Sequence, residues 1–75
     1  PAGERFAPAS GQGYDKTDVD ALMDRIAGYF ASDTTLTSSE VRGAVFRRAR
    51  GNKAYGEPSV DRYLARVVEV LLSVE

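Results

Sequence analysis

Residues 14–31, YDKTDVDALMDRIAGYFA, and residues 55–72, YGEPSVDRYLARVVEVLL, decide the fold when laid on one another at an offset of 41. Tyr14 then falls on Tyr55, Val19 on Val60, Asp20 on Asp61 and Met23 on Leu64. Arg25 falls on Arg66, Ile26 on Val67 and Phe30 on Leu71. Upstream, Phe6 falls on Phe46 with a one-residue gap. The chain therefore holds two copies of one short unit, about 6–31 and about 36–75, and internal repetition of this kind shapes any fold assignment.

Within the first copy, Val19, Leu22, Met23, Ile26, Tyr29 and Phe30 recur at the spacing of one apolar helical face. Asp15 is placed as an N-cap and Asp18 in the first turn, where the helix dipole favours a carboxylate. The spacing predicts a helix over 15–31. A second long helix is predicted over 57–75, with Pro58 in its first turn. Its apolar face is Val60, Tyr63, Leu64, Val67, Val68, Val70, Leu71 and Val74. Between the two lies Thr37-Ser38-Ser39-Glu40, a capping box that opens a short helix over 37–45, with Leu36 placed to staple onto Val41.

The remaining segments read as irregular. Residues 46–56 form a basic loop carrying Arg47, Arg48, Arg50 and Lys53, with a Gly51-Asn52 turn. Residues 1–13 are rich in Gly, Pro, Ala and Ser and read as a flexible tail, with Phe6 available to dock. The expected architecture is all-α: a single three-helix domain over 14–75, preceded by that tail.

Composition narrows function. A chain of 75 residues buries only about 60% of its unfolded surface and is marginal alone. Help from oligomerisation or from a larger parent protein is expected. The chain has no cysteine and no histidine, which excludes disulfides and the usual zinc ligand sets. Acid–base chemistry would fall to Asp, Glu, Lys or Tyr, and no spacing marks an activated nucleophile. Asp15, Asp18, Asp20 and Asp24 lack the glycine turn of a calcium loop. The expectation is a non-enzymatic binding module with no catalytic residue, no metal and no cofactor. Net charge is −1, but residues 37–56 hold five basic side chains and one acid, between two acidic flanks. No run approaches the ~20 apolar residues that span a bilayer.

The repeat also carries a family signature. The second copy reads Leu36-Thr37, Glu40-Val41, Phe46, Tyr55, Val60-Asp61 and Tyr63-Leu64. The first reads Phe6, Gly13-Tyr14-Asp15, Val19-Asp20 and Leu22-Met23. In this order the elements resemble the DivIVA-domain repeat of bacterial cell-division and polar-growth proteins. The resemblance implies an all-helical unit that self-associates, often as a parallel dimer. It implies a cytoplasmic place, at the inner face of the membrane at division sites or poles. Four features depart from the family pattern. The loop over 47–54 keeps its basic residues but has no large apolar tip. Ala54-Tyr55-Gly56 stands where Gly-Tyr-Asp is expected. No Leu-Thr-x-x-Asp-Val opening precedes Phe6, and no long heptad region follows.

What the resemblance carries over is the repeat as an interaction module. Arg47, Arg48, Arg50 and Lys53 are the expected contacts to a protein partner or an anionic membrane surface. Val67, Val70, Leu71 and Val74 are the expected self-association surface, with a homodimer as one outcome. Phe6, Tyr14, Val19, Asp20, Phe46, Tyr55, Val60 and Asp61 are the structural signature. The alternatives are a basic-loop nucleic-acid-binding module, which the slightly acidic overall charge argues against, and a weak binder of anionic membrane surfaces. One structural expectation follows: a tandem copy can pair within a single chain, first helix against last, with pseudo-two-fold symmetry.

Overall fold

A computed structural model describes residues 5–75. In chain order the elements are β1 (Gln12–Asp15), α1 (Lys16–Phe30), α2 (Ser38–Arg42), β2 (Arg48–Arg50), β3 (Ala54–Tyr55) and α3 (Glu57–Val74), with a single 3-10 turn at Gly51–Lys53 between β2 and β3. The three helices fall where periodicity places them, the short one ending earlier, at Gly43.

The all-α expectation is wrong. The domain is a small mixed α/β unit whose three strands form one antiparallel sheet in the order β2-β1-β3. The predicted basic loop supplies two of these strands, and the third, β1, straddles the boundary between the predicted tail and the predicted first helix. Gly13 and Tyr14 of β1 lie opposite Ala49 and Arg48 of β2, and Tyr14 and Asp15 lie opposite Tyr55 and Ala54 of β3. Strands of two to four residues built from Gly, Ala and Arg have little intrinsic β preference. They form because each finds a backbone partner in the other copy.

Gly13 marks the tightest approach. A Cβ built there would lie 2.3 Å from the carbonyl oxygen of Tyr55, so only glycine lets β1 pass. The residues just before β1 are held as well. Ala9 N–H donates to Ala54 O at 3.0 Å, Gly56 N–H donates to Ala7 O at 3.0 Å, and Pro8 bridges to Tyr55. Phe6 anchors this stretch, its ring edge-on to Tyr55 and Tyr63. Of the segment expected to be a flexible tail, residues 1–4 lie outside the described residues.

Side chains from every layer meet in one core. Val19, Leu22, Met23 and Ile26 come from α1, Val60, Val67 and Leu71 from α3, and Leu36, Val41 and Tyr55 fill the space beside them. Full burial of such a side chain contributes roughly 1.5–3 kcal/mol. The two long helices run side by side in the same direction. Asp20 and Asp61 stand level at the sheet end, each bonded to a β-strand tyrosine. Phe30 shares a groove with Val70 and Val74 at the far end.

Helix α2 opens with the expected capping box, Thr37 and Glu40 satisfying each other's amides. Its first turn is further held by Glu75, which accepts from Ser38 N–H at 2.7 Å and Ser38 Oγ–H at 2.8 Å. Helix α1 closes in a Schellman motif: Ser32 N–H donates to Tyr29 O and Asp33 N–H to Gly28 O. Ser32 occupies the left-handed position at φ 64°, which glycine normally fills. A side chain there costs roughly 1–2 kcal/mol, and glycine's greater unfolded entropy returns about 0.5–1 kcal/mol of that. Ser32→Gly should therefore stabilise the domain by about 0.5–1 kcal/mol. Urea denaturation checks this, and an unchanged or lowered midpoint would contradict it.

Candidate interaction site

The signature residues form the seam between the two copies, and they do so reciprocally. Tyr14 Oη–H donates to Asp61 Oδ1 at 2.7 Å, and Tyr55 Oη–H donates to Asp20 Oδ1 at 2.7 Å. Each tyrosine thus reaches the Val-Asp pair of the other copy. The rings follow the same rule: Phe6 packs on Tyr55 at 5.3 Å and Phe46 on Tyr14 at 5.1 Å. So does the backbone, with Asp15 N–H donating to Arg47 O and Gly56 N–H to Ala7 O. Val19 and Val60, which precede the two aspartates, have no exposed surface. The hydrogen bond to Asp61 raises the pKa of Tyr14, because ionisation would place two anions together.

The four basic residues separate into two pairs. Arg47 clamps Asp18, with Nε donating to Oδ2 at 3.0 Å and Nη2 to Oδ1 at 2.9 Å, while its backbone N–H adds a third bond. These bonds hold the Asp18 carboxyl down at about 2, against an ordinary 3.8. Arg48 pairs with Glu57 and lies over the Tyr14 ring. Arg47 and Arg48 therefore hold strand β2 to the helices. Arg50 and Lys53 are exposed at the sheet tip, and neither makes an ion pair among the described residues. The tip is tied to the first copy by Gly51 N–H donating to Gly11 O at 2.9 Å.

The expected self-association surface also divides. Val67 and Leu71 point into the core, because the α1–α3 packing already consumes that part of the apolar stripe. Val70 and Val74 remain 45% and 65% exposed, and Phe30 of α1 joins them at 56%. Tyr63 lies further along the same side of α3, next to Phe6. Between the helices runs an open groove of about 410 Å³ lined by Phe6, Met23, Ile26, Ala27, Phe30 and Tyr63, with Arg5 at its rim.

The four first-helix aspartates each have a donor. Asp15 caps the N–H of Asp18, Asp18 takes Arg47, Asp20 takes Tyr55, and Asp24 takes Arg5 at 2.8 Å. Sequence reading missed Arg5, whose contacts are long-range. It also missed Arg25, which donates to Thr35 O and to Glu40 Oε2, both at 3.0 Å. The repeat offset was the available signal for Arg25, since it aligns with Arg66. The surface carries an apolar groove, a half-exposed valine strip and, at the opposite end, two cations with no ion pair among the described residues. Among the described residues no helix is long and apolar enough to cross a membrane. Comparison with protein-family models, with curated proteins and with solved structures returns no match.

Two outcomes are expected from this geometry. Tyr55 is fully buried and its partner Asp20 is partly buried, whereas Tyr14 and Asp61 meet nearer the surface. Tyr55→Phe should cost about 1–2 kcal/mol in urea denaturation, and Tyr14→Phe less; equal losses would contradict the burial argument. The second outcome concerns acid. Unfolded, Asp18 protonates near 3.8, but folded it stays ionised down to about 2. The stabilisation it gives is complete above about pH 5 and disappears as pH falls through that window. The thermal midpoint should drop between pH 4 and pH 2, and Asp18→Asn should flatten that drop. An identical pH profile in the variant would show that other carboxylates carry it.

Proposed function

We propose that the chain is a non-enzymatic protein-interaction module made of two DivIVA-like repeats paired within one chain. It self-associates or holds a protein partner in a bacterial cell-division or cell-envelope setting, on the cytoplasmic side. The reciprocal tyrosine–aspartate exchange carries this reading: the repeat is a unit whose polar and aromatic groups are completed by a second unit. The second support is the apolar strip of Val70, Val74 and Phe30 left exposed on a domain this small. Chains of this size commonly need further burial for stability.

A specific observation favours one additional contact. Arg50 and Lys53 are exposed at the sheet tip with no acidic partner among the described residues, whereas Arg47 and Arg48 are neutralised. Two free cations attract an anionic lipid surface by about 1 kcal/mol each, which is weak and salt-sensitive. The same neutralisation leaves little for nucleic acid. Light scattering across a concentration series tests the main reading. A reversible dimer that persists at high salt is expected, with Val70→Glu or Val74→Glu returning it to monomer while leaving the melting curve in place. A strict monomer at all concentrations would remove self-association.

A further inference from the structure

The two outer edges of the sheet are equivalent in the repeat and unequal in chemistry. Residues 7–9 lie along β3 as β2 lies along β1: Pro8 bridges to Tyr55, and Arg48 pairs with Tyr14. Because Phe6 falls on Phe46, Pro8 falls on Arg48 and Ala9 on Ala49. The inward bonds match as well. Ala9 N–H donates to Ala54 O and Gly56 N–H to Ala7 O, while Asp15 N–H donates to Arg47 O and Gly51 N–H to Gly11 O. Antiparallel ladders alternate in the direction of their backbone groups, so Pro8, Arg48 and Arg50 are the positions that turn outward.

Pro8 has no N–H, and a proline in that place blunts an edge. Arg48, its mate, keeps both N–H and C=O, and Arg50 keeps its N–H. None of these three groups is hydrogen-bonded among the described residues. Beside this edge opens a groove of about 440 Å³ that runs from Phe46 and Arg48 to Leu64 and Val68 of α3, with Arg42 of α2 in its wall. Phe46, Leu64 and Val68 are only partly buried against the core. Phe46, Arg48 and Arg50 alternate along one strand direction and so share a sheet face with Tyr14, against which Phe46 packs. Arg42, Arg50 and Lys53 are exposed and make no ion pair among the described residues.

We propose that the β2 edge binds an extended segment of a partner protein as an added antiparallel strand, acidic opposite Arg50 and apolar four residues further on. The apolar side chain then stands opposite Phe46, over the groove. Backbone pairing supplies affinity, and the groove and the cations select the side chains. The inference deepens the interaction-module reading by naming the partner's chemistry, and it rests on that reading. Charge favours this occupant over a second copy of the chain. Two β2 edges centred on Ala49 would set Arg48 of one against Arg50 of the other, and like charges directly opposite are destabilising. Charges that keep a like edge away here attract an acidic one.

The probe is an acetylated, labelled peptide, DETTTLT, titrated into the 75-residue chain. Its glutamate stands opposite Arg50, its middle threonine opposite Arg48 and its leucine opposite Phe46. Saturable anisotropy is expected, with NMR shifts at the Arg48 and Arg50 amides. N-methylation of the middle threonine should weaken binding by at least about tenfold, the loss of one backbone pair. Arg48→Pro should bind at least about tenfold more weakly than Arg48→Ala, since both lose the guanidinium and only the proline loses the N–H. Circular dichroism checks that both variants keep their melting curves, and the methylated peptide tests the same edge on the unaltered chain. No saturation by about 1 mM would overturn the proposal. So would a methylated peptide that binds as tightly as its parent, because charge attraction alone would then explain binding. Phosphatidylserine vesicles that shift the Arg50 and Lys53 amides where the peptide does not would overturn it in favour of a lipid surface. A dimer sensitive to Val70→Glu with no peptide binding removes the edge alone. A strict monomer that binds the peptide keeps the edge and removes self-association.

Discussion

Everything in this domain is arranged around two hydrogen bonds that cross between its halves. A buried tyrosine hydroxyl without a partner forfeits about 1–3 kcal/mol, and for each tyrosine the acceptor comes from the other repeat. Tyr55 finds Asp20 and Tyr14 finds Asp61, each at 2.7 Å. That exchange fixes the strands carrying the tyrosines side by side and antiparallel. It also sets the two aspartates, each in the first turns of a long helix, level with each other. The helices then have to leave the sheet together and in the same direction, and their apolar faces meet as a consequence. The phenylalanine rings and the short backbone bonds repeat the same crossed pattern, so the seam is one cooperative unit.

Much of this was legible in the chain and part of it was not. Period 3.6 in the apolar residues located the three helices, and the offset of 41 revealed the repeat. The capping box at Thr37 announced the start of α2. The sheet was invisible because its signal is not local. Gly13, Ala49 and Ala54 carry no alternating hydrophobic pattern, and their strands exist only through pairing between residues some forty positions apart. The same blindness affected the basic segment. Arg47 and Arg48 read as free charges, but their acids, Asp18 and Glu57, lie in other parts of the chain. Val67 and Leu71 share a stripe with Val70 and Val74, and periodicity alone does not divide the part facing a neighbouring helix from the part facing solvent.

The asymmetry of the pair is as informative as its symmetry. Two equivalent positions, Leu71 and Phe30, are buried and exposed respectively, and among the described residues a covering helix, α2, lies on the side of Leu71. Surface ion pairs do little to compensate, since exposed pairs contribute about 0–1 kcal/mol.

The crossed seam also imposes an order on folding. Tyr14 waits for a residue 47 positions further along, and Tyr55 completes a residue 35 positions behind it. Contacts of such separation are slow to form, because a long loop must close before they return any energy. A chain emerging from the ribosome therefore exposes the whole first repeat, its tyrosine and helix face included, until the second tyrosine has been made. During that interval the first repeat is an unfilled half, its tyrosine without its acceptor and its apolar helix face open to solvent.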